Sequence, residues 1–401
     1  MTDSVLVINA GSSSLKFALF ERADGVPVAV SHGQIESIGD APHFIAQDRA
    51  GRTLAEHRWP AGGAETHETL LAHLLDWVDG HLGADALVAV GHRVVHGGAS
   101  LHRPARVTDA LLDALARLTP LAPLHQPHNL APIRAIAARR PGLPQVACFD
   151  TGFHHSLAPV ATRFALPRRY EAEGVRRYGF HGLSYEYIAR RLREEHPALA
   201  AGRVIVAHLG NGASLCAMRD GRSVDTTMGF TALDGLVMGT RCGNIDPGAV
   251  LYLQQHYGLD ADAVERLLYQ DSGLLGVSGI SGDMRQLIGR RETTAKEAIE
   301  LFVYRIARET GALVASLGGL DGFVFTAGIG EHAPAVRGLV VARLAWLGAT
   351  LDPCANTRGQ GRISDAASRI EVHVIPTDEE AMIARHTFET LDAAPDAEAR
   401  P

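Results

Sequence analysis

The chain has 401 residues, of which 46% are hydrophobic and 21% charged, a balance typical of a globular protein rather than a disordered or fibrous one. Its 38 basic and 45 acidic side chains give a formal net charge of −7, which argues against a nucleic-acid or membrane-surface partner. The sequence contains neither a signal-peptide pattern nor an apolar run of the roughly 18 residues that a transmembrane helix needs, so we expect a cytoplasmic protein. Its four cysteines lack the spacing of a disulfide or zinc framework.

The first predicted element is a strand over Val5–Ala10, an apolar run typical of a strand buried on both faces. Gly11-Ser12-Ser13-Ser14 then forms a tight turn, and a second strand begins at Leu15. Lys16, on this second strand, is one of only two lysines in the chain. A compact ammonium group beside a Gly/Ser turn suits a phosphate better than the planar fork of arginine, which makes Lys16 a candidate phosphate ligand.

A second strand–turn–strand unit occurs half a chain later. Val204–Leu209 is again an apolar run, Gly210–Ser214 is the turn, and Leu215–Met218 is the second strand. The two copies lie about two hundred residues apart, a separation that indicates a duplicated domain rather than a short-period repeat.

Helices and strands alternate in the last third of the chain. Lys296–Leu317 carries apolar side chains at helical spacing, and Phe323–Thr326 is predicted to be a strand that leads into the Gly-rich turn Gly328–Glu331. This mixture of elements predicts an α/β protein whose ligands bind at strand ends.

The final predicted elements are a short strand over 372–376 and a helix over about 378–391. Thr377 is the expected N-cap of this helix, with Glu380 completing a capping box. Residues 392–401 are rich in Ala, Asp and Pro and are expected to fray.

Three Gly-rich turns at strand ends, taken together, predict nucleotide binding. Gly11–Ser14, Gly210–Ser214 and Gly328–Glu331 each offer backbone N–H groups to phosphate oxygens, although any one alone also fits a plain hairpin. Gly328–Ala333 matches the dinucleotide pattern G-x-G-x-x-A, but it lies too late in the chain and outside an N-terminal βαβ unit to favour that fold. The P-loop sequence is absent.

One arginine stands in a strand-like run flanked by glycines and another in a loop of small residues, and a guanidinium so placed either pairs with a carboxylate or binds an oxyanion. These are Arg93 and Arg241. Together with Lys16 and the acidic side chains at Asp150 and Asp378–Glu380, they predict a phosphoryl-transfer site.

The histidines divide into two groups. His181 lies between glycines and close to Arg176-Arg177, as expected of a side chain that faces an anion. His154-His155 and His125-Gln126-Pro127-His128 have no third ligand at the usual spacing, so the sequence does not predict a zinc site.

Seven short motifs occur in order along residues 7–385. They are Asn9–Lys16, Leu121–His125, Arg177–Gly182, His208–Ser214, Met228–Thr231, Gly276–Ser281 and Phe325–Glu331. On these motifs the chain resembles the acetate kinase family, the ATP:acetate phosphotransferases of the superfamily that also contains sugar kinases, heat-shock chaperones and actin.

This resemblance implies an α/β protein of two duplicated ribonuclease-H-like (actin-like ATPase) domains flanking a cleft that holds ATP and acetate. The first domain is expected over residues 1–151 plus 378–401, closed by the C-terminal helix, and the second, nucleotide-binding domain over 152–377. The resemblance further implies a homodimer that reversibly transfers the γ-phosphoryl group of ATP to acetate, giving acetyl phosphate and ADP, with no nucleic-acid or membrane partner.

The resemblance also assigns roles to individual residues. The expected catalytic residues are Asp150, His181 and Arg241. The residues expected to contact acetate are Arg93, Val95, Leu124, His125 and Phe180. Those expected to contact the nucleotide are Lys16, His208, Leu209, Gly210, Asn211, Gly212, Asp283, Met284, Arg285, Gly328, Ile329, Gly330, Glu331 and His332. Mg²⁺, or Mn²⁺ in its place, is expected at Asn9 and Glu379, mostly through water.

The role of Asp150 needs a physical argument of its own. Acetate is already ionised at pH 7, so the reaction needs no general base to activate it. We therefore expect Asp150 to orient Arg241, magnesium-bound water or the substrate rather than to accept a proton.

The chain departs from the usual family sequence at five positions: Leu183, Tyr185, Ala232, Asn244 and Asp378. Alanine at position 232, where proline is usual, predicts that propionate is accepted better than in a proline-bearing homologue. Two alternative functions stay open: a propionate or short-chain acyl kinase, and a nucleotide-binding regulator without catalysis. The presence of both arginines with His181 argues against the regulator.

Overall fold

The structure, a computed structural model, describes residues 3–11, 14–63, 65–82, 87–123 and 125–393. The strands in this part of the chain are β1 (Ser4–Ala10), β2 (Leu15–Ala23), β3 (Val26–Glu36), β4 (His43–Asp48), β5 (Thr53–Arg58), β6 (Leu87–Val94), β7 (Ala105–Arg106), β8 (Gln145–Phe149), β9 (Arg203–Leu209), β10 (Ala213–Arg219), β11 (Arg222–Thr226), β12 (Gly322–Thr326), β13 (Gly361–Arg362) and β14 (Glu371–Val374). The helices are α1 (His67–Leu82), α2 (Asp109–Arg117), α3 (Gln126–Arg139), α4 (Pro159–Thr162), α5 (Arg168–Ala172), α6 (Gly182–Glu195), α7 (Pro197–Ala200), α8 (Pro247–Tyr257), α9 (Ala261–Tyr269), α10 (Gly273–Ser278), α11 (Met284–Leu287), α12 (Thr293–Leu317), α13 (Ala327–His332), α14 (Pro334–Arg343), α15 (Pro353–Arg358) and α16 (Glu379–Asp392).

These elements form two compact units, each described here by itself. Unit 1 runs to Gly152 and resumes at Asp378, so that α16 belongs with the N-terminal strands. Unit 2 spans Phe153–Thr377. Among the helices that the structure describes, none combines the length and the apolar character needed to cross a bilayer.

The sheet of unit 1 has the strand order β5-β4-β3-β2-β1-β6-β8-β7. The strands β1, β2 and β3 are antiparallel neighbours, while β6 runs parallel to β1 and β8 parallel to β6. Helix α16 packs against β6 so closely that a Cβ on Gly91 would lie 2.3 Å from Thr387 Oγ1. Glycine is therefore needed at this point, and the close approach holds α16 over the strand that carries Arg93.

The sheet of unit 2 repeats the central order of unit 1. Its strands run β11-β10-β9-β12-β14-β13, with β9 to β11 antiparallel, β12 parallel to β9 and β14 parallel to β12. Three antiparallel strands followed by two parallel ones are the ribonuclease-H-like arrangement. The repeated order confirms the predicted α/β class and the predicted duplication.

Most local predictions are confirmed because apolar runs bounded by glycine determine them. The predicted hairpin strands are β1 and β2, and β9 and β10, and the long helical stripe lies within α12. The predicted turn residues Ser12 and Ser13, the predicted acetate contact Leu124, and the end of the chain beyond residue 393 lie outside the described residues.

Two local predictions are wrong. The N-cap of α16 is Asp378 rather than Thr377, because the Asp378 carboxylate accepts the N–H of Ala381 at 2.8 Å. Residues Gly328–Glu331 lie within the short helix α13 rather than in a turn, because Ala327, at φ 63°, reverses the chain directly after β12 and a helix begins there.

Candidate functional site

Four polar side chains of unit 1 meet where neighbouring strands end. Arg93 lies near the end of β6, Asn9 near the end of β1, Asp150 follows β8, and Glu379 begins α16. Because β1, β6 and β8 are parallel neighbours, their carboxyl ends lie along one edge of the sheet. We call these four residues the Arg93 cluster.

Arg93 is held at the centre of this cluster by several hydrogen bonds. Its Nε donates to both carboxylate oxygens of Asp150 at 3.1 Å, and its Nη2 donates to Asp150 Oδ2 at 2.5 Å. Its Nη1 donates to Asn9 Oδ1 at 3.2 Å, and Glu379 Oε2 lies 3.7 Å from Nε. Of the two possibilities that the sequence left open, the structure places Arg93 in a carboxylate pair.

The charges of the Arg93 cluster do not balance. Burial disfavours the charged guanidinium, but the Asp150 and Glu379 carboxylates outweigh it, and the pKa of Arg93 is raised. The pKa of Glu379 is also raised, but here burial is the main cause. The carboxylates of Asp150 and Glu380 raise it further, and the positive charge of Arg93 opposes the change. Carboxylates so gathered around one guanidinium favour a further cation.

The donor set of the Arg93 cluster fits a hard divalent cation. Asn9, Asp150 and Glu379 supply amide and carboxylate oxygens, the ligands that Mg²⁺ prefers. Over the described residues, no group of three or more His, Cys, Asp or Glu side chains is arranged to coordinate a metal. The oxygen set therefore suits an ion that keeps much of its water, as Mg²⁺ does.

Two further polar residues, Lys16 and Asn129, lie beside the strand ends that carry the Arg93 cluster. Lys16 lies opposite Asn9 in the β1–β2 hairpin and is exposed. Asn129, which the sequence analysis missed, donates from Nδ2 to Ala10 O at 2.7 Å and accepts the Val95 N–H at 2.9 Å. This buried amide ties the ends of β1 and β6 together, and neither spacing nor composition indicates it.

The other predicted acetate contacts lie in different places. Val95 follows β6 and is buried, and His125 is the N-cap of α3. Phe180 belongs to unit 2, where it is 2% exposed. The carbonyl of Phe180 lies 2.9 Å from Nε2 of the buried His154, which fixes the backbone directly before His181.

Two histidines of unit 2 lie face to face at the β9–β10 turn. The rings of His181 and His208 stack with centroids 4.1 Å apart. His181 Nδ1 lies 2.8 Å from Ser214 Oγ, and His208 Nδ1 lies 2.8 Å from Ser184 Oγ. His181 has φ 57°, a left-handed conformation directly before α6 that turns its ring towards β9 and β10.

His181 and Arg241 converge on one backbone position. A Cβ placed on Gly212 would lie 3.2 Å from His181 Nε2 and 3.4 Å from Arg241 Nη2. Arg241 Nη1 donates to Ala232 O at 2.7 Å, and the neighbouring Gly239 N–H donates to Asn211 O at 3.0 Å. Two basic donors thus lie against a turn whose glycine leaves room for a ligand.

The remaining predicted nucleotide contacts of unit 2 border the same turn. A Cβ on Gly210 would lie 3.8 Å from Ala327 Cβ, so α13 begins beside the β9–β10 turn. A Cβ on Gly282 would lie 2.8 Å from Gly239 O, which places the segment that leads to Asp283, Met284 and Arg285 beside the Arg241 loop. The structure thus brings 208–212, 241, 282–285 and the start of α13 to one edge of the sheet.

Two arginines contact these segments, one through an ion pair and one through hydrogen bonds. Arg285 is exposed and pairs with Asp283 at 2.7 Å, and this contact lowers the pKa of the Asp283 carboxyl. Arg337, 1% exposed, donates to the carbonyls of Gly330 and Glu331 at 2.9 and 2.7 Å. The sequence analysis missed Arg337, whose hydrogen bonds satisfy two carbonyls of α13.

Each unit has a ribonuclease-H-like sheet, with basic or acidic side chains beside its strand ends. These features define a phosphotransferase of the actin-like ATPase class. A family model described as the acetokinase family matches residues 4–385. The chain belongs to the acetokinase family, whose members use ATP and ADP.

Relatives and solved structures agree with this membership along the whole chain. A protein of Rhodopseudomonas palustris named acetate kinase is 55% identical over 398 residues, which cover 98% of this chain and 99% of that relative. The crystal structure of Porphyromonas gingivalis acetate kinase has a TM-score of 0.87 at 35% identity and covers 97% of this chain and 100% of its own. A propionate kinase from Francisella tularensis has a TM-score of 0.89 at 34% identity and covers 96% and 98%.

Proposed function

We propose that this protein reversibly transfers the γ-phosphoryl group of ATP to acetate, giving acetyl phosphate and ADP. The single observation that carries the choice of acetate is the 55% identity, over nearly the whole chain, to a relative named acetate kinase. The geometry supports phosphoryl transfer because His181 and Arg241 present donors to one open position at Gly212. Two such donors suit charge that develops on a phosphoryl group.

The acetate end of the reaction belongs to the Arg93 cluster. Arg93 binds the acetate carboxylate, and the family resemblance assigns the contacts with the acetate methyl group to Val95, Leu124, His125 and Phe180. Asp150 holds the guanidinium by two oxygens and so fixes its plane. Acetate needs no deprotonation at pH 7, so Asp150 orients Arg93 rather than acting as a base.

The nucleotide end belongs to the Gly-rich segments of unit 2. Residues 208–212, 283–285 and 328–332 bind the phosphates and the adenosine through backbone N–H groups and side chains. The family resemblance assigns a phosphate contact to Lys16 as well, a role that suits a compact ammonium group. Asn9 and Glu379 are the residues that would hold Mg²⁺ or Mn²⁺. A bound divalent ion neutralises charge on the phosphates.

The chemical step is a direct in-line displacement. A carboxylate oxygen of acetate forms a bond to the γ-phosphorus while the bond from that phosphorus to the β–γ bridging oxygen breaks, and ADP leaves with the bridging oxygen. Arg241 and His181 stabilise the charge on the transferring group. An arginine in this role contributes roughly 10³–10⁵ in rate, or about 4–7 kcal/mol of barrier.

The test is the formation of acetyl phosphate, trapped as the hydroxamate, from ATP, Mg²⁺ and acetate. Arg241→Ala is expected to reduce kcat by roughly 10³-fold or more. The control is Arg343→Ala, which removes an exposed guanidinium of the same unit that pairs with Glu300 at 3.2 Å, and it should retain full activity. ATP binding without any acetate-stimulated release of ADP would instead indicate a nucleotide-binding regulator.

A second candidate substrate is propionate. Among the solved structures, the propionate kinase of Francisella tularensis is as similar to this chain as the acetate kinase of Porphyromonas gingivalis is. Alanine at position 232 also removes ring volume where the family usually has proline. One methylene is worth only about 1–3 kcal/mol in a pocket, so both acids are expected to react. Comparing kcat/KM for acetate, propionate and butyrate ranks them.

We also propose that the protein is a homodimer. Leu251, Tyr252 and Tyr257 on α8 are 55%, 55% and 64% exposed, and α8 has no buried residue in unit 2 as described. Large apolar side chains exposed together suit an interface between subunits. Light scattering should give about twice the 42.8 kDa chain mass, and Tyr252→Glu should shift it towards the monomer.

A further inference from the structure

A chain of hydroxyl groups leads from the interior of unit 2 to His181. Tyr185 Oη lies 2.5 Å from Ser214 Oγ, and Ser214 Oγ lies 2.8 Å from His181 Nδ1. Tyr185 and Ser214 have no exposed surface, and His181 is 9% exposed. Tyr185 stands in the first turn of α6 and Ser214 on β10, so two separate elements fix the histidine ring.

Each hydroxyl in this chain carries one hydrogen, and this constrains the imidazole. A serine that accepts a hydrogen bond from the tyrosine phenol directs its own hydrogen to its other partner. Either hydroxyl can donate in the Tyr185–Ser214 contact. With Tyr185 as the donor, Ser214 donates to His181 Nδ1, and a neutral ring then carries its hydrogen on Nε2. Nε2 is the atom that faces Gly212 together with Arg241 Nη2.

We propose that Tyr185 is a positioning residue which, through Ser214, holds His181 in the tautomer whose Nε2–H points at the transferring phosphoryl group. This inference rests on the proposed function of His181. A phosphoryl oxygen needs a donor at this position, since a nitrogen lone pair there would repel it. The hydroxyl chain supplies that donor without a proton transfer.

A related arrangement occurs elsewhere in unit 2, where a carbonyl fixes the tautomer of the histidine. His154 Nδ1 lies 2.8 Å from Ser223 Oγ, and its Nε2 lies 2.9 Å from Phe180 O. A carbonyl only accepts, so Nε2 carries the hydrogen and Nδ1 accepts from Ser223. Ser223 in turn accepts from the buried thiol of Cys216 at 3.5 Å. A donor, a serine and a histidine thus form the sequence that Tyr185, Ser214 and His181 repeat.

The choice of tautomer decides which ring nitrogen of a neutral His181 donates. The ring of His208 stacks on that of His181, and a Cβ on Gly212 would lie within 3.4 Å of both His181 Nε2 and Arg241 Nη2. A neutral ring donates from Nε2 only in the tautomer proposed here.

The experiment measures the tautomer directly in the full-length protein labelled with ¹⁵N-histidine. Long-range ¹H–¹⁵N spectra distinguish protonated from unprotonated ring nitrogens, and His181→Gln identifies the signals of His181. We expect Nε2 protonated and Nδ1 unprotonated in the unaltered protein. In Tyr185→Phe, Ser214 is free to accept from Nδ1, so a mixture of tautomers is expected, with kcat lower by roughly three- to tenfold and both KM values nearly unchanged.

Two further variants separate this role from packing. Ser214→Ala keeps the Tyr185 ring in place but removes the donor to Nδ1, and it should give the same mixture of tautomers. Tyr178→Phe removes a buried hydroxyl that donates to Gly174 O at 2.8 Å, and it should leave the His181 signals unchanged.

The outcomes are distinguishable from those of the proposed function. A hydrogen on Nδ1 in the unaltered protein, or the Nε2–H tautomer persisting undiminished in either Tyr185→Phe or Ser214→Ala, would overturn the inference even if the enzyme makes acetyl phosphate. If no acetyl phosphate forms, the proposed function fails, while the spectra still report the tautomer.

Discussion

Replacing Gly212 by alanine places one methyl group where two basic donors meet. The added carbon would lie 3.2 Å from His181 Nε2, so this ring must move by a few tenths of an ångström, and 3.4 Å from Arg241 Nη2, which is the limit of ordinary contact. A ligand oxygen bound by both nitrogens must also move away from the methyl group. Misplacement of reacting groups by about 1 Å costs roughly 10²-fold in rate, or about 2.7 kcal/mol of barrier.

The same substitution should leave the fold intact. The backbone of Gly212 does not occupy the left-handed region, so alanine fits it without strain. Glycine-to-alanine changes at such positions stabilise by about 0.4–1 kcal/mol through the unfolded chain, which offsets the close contacts. We therefore expect a melting temperature within a few degrees of the unaltered protein, and a lower kcat in a folded enzyme.

The assay is hydroxamate-trapped acetyl phosphate, with kcat and both KM values measured beside thermal unfolding. Gly311→Ala is the matched control, because it makes the same chemical change inside α12, where the nearest atom is a Trp346 ring carbon at 3.9 Å. That variant should keep full activity and gain about 0.5–1 kcal/mol in stability. A folded Gly212→Ala enzyme with kcat within threefold of the unaltered value would refute the assignment of this position to the phosphoryl group.

Three further changes test other parts of the structure. Ala232→Pro should lower the ratio of kcat/KM for propionate to kcat/KM for acetate by roughly tenfold. Because Ala232 O also accepts a hydrogen bond from Arg241, kcat itself can change, and only the ratio tests the role of residue 232 in the pocket. An unchanged ratio excludes that role. Asp150→Ala removes one partner of the buried ion pair with Arg93, a change that usually lowers the free energy of unfolding by about 3–5 kcal/mol. Because Arg93 keeps its hydrogen bond to Asn9, we expect a loss of about 3 kcal/mol in denaturant-induced unfolding. Asp150→Asn should lose less. Burial lowers the pKa of His154 to about 4, so at pH 5 the unfolded chain binds a proton that the native state does not. The free energy of unfolding should therefore fall by about 2 kcal/mol as the pH is lowered from 7 to 5. His154→Gln should lose that part of the pH dependence.

Elements with a strong local signal are those that the sequence analysis located best. The predicted strand Val5–Ala10 is observed as Ser4–Ala10, and the predicted helix Lys296–Leu317 as Thr293–Leu317. In both, the apolar pattern is continuous and its end is marked by a glycine or a change of spacing. The mixture of predicted elements indicated the α/β class, and the family resemblance added the ribonuclease-H-like fold and most of the list of site residues.

Contacts between residues far apart in the chain could not be predicted from the sequence. Arg93 and Asp150 are 57 residues apart, and His181 and Ser214 are 33 apart, and each pair meets only because two elements are packed in a particular register. The Thr377 error has a simpler cause, since Asp378 next to it is an equally good N-cap and only the backbone geometry distinguishes them.

The two units hold their basic groups by different means, and the difference matches the charges they are proposed to meet. In the Arg93 cluster carboxylates surround the guanidinium, which fixes its direction and leaves negative charge that suits a divalent cation. At the β9–β10 turn, serine hydroxyls orient His181 and His208, and a hydroxyl fixes a ring without adding a formal charge. The positive field of Arg241 at Gly212 is therefore not reduced by the groups that orient its neighbours, as stabilising a transferring phosphoryl group requires.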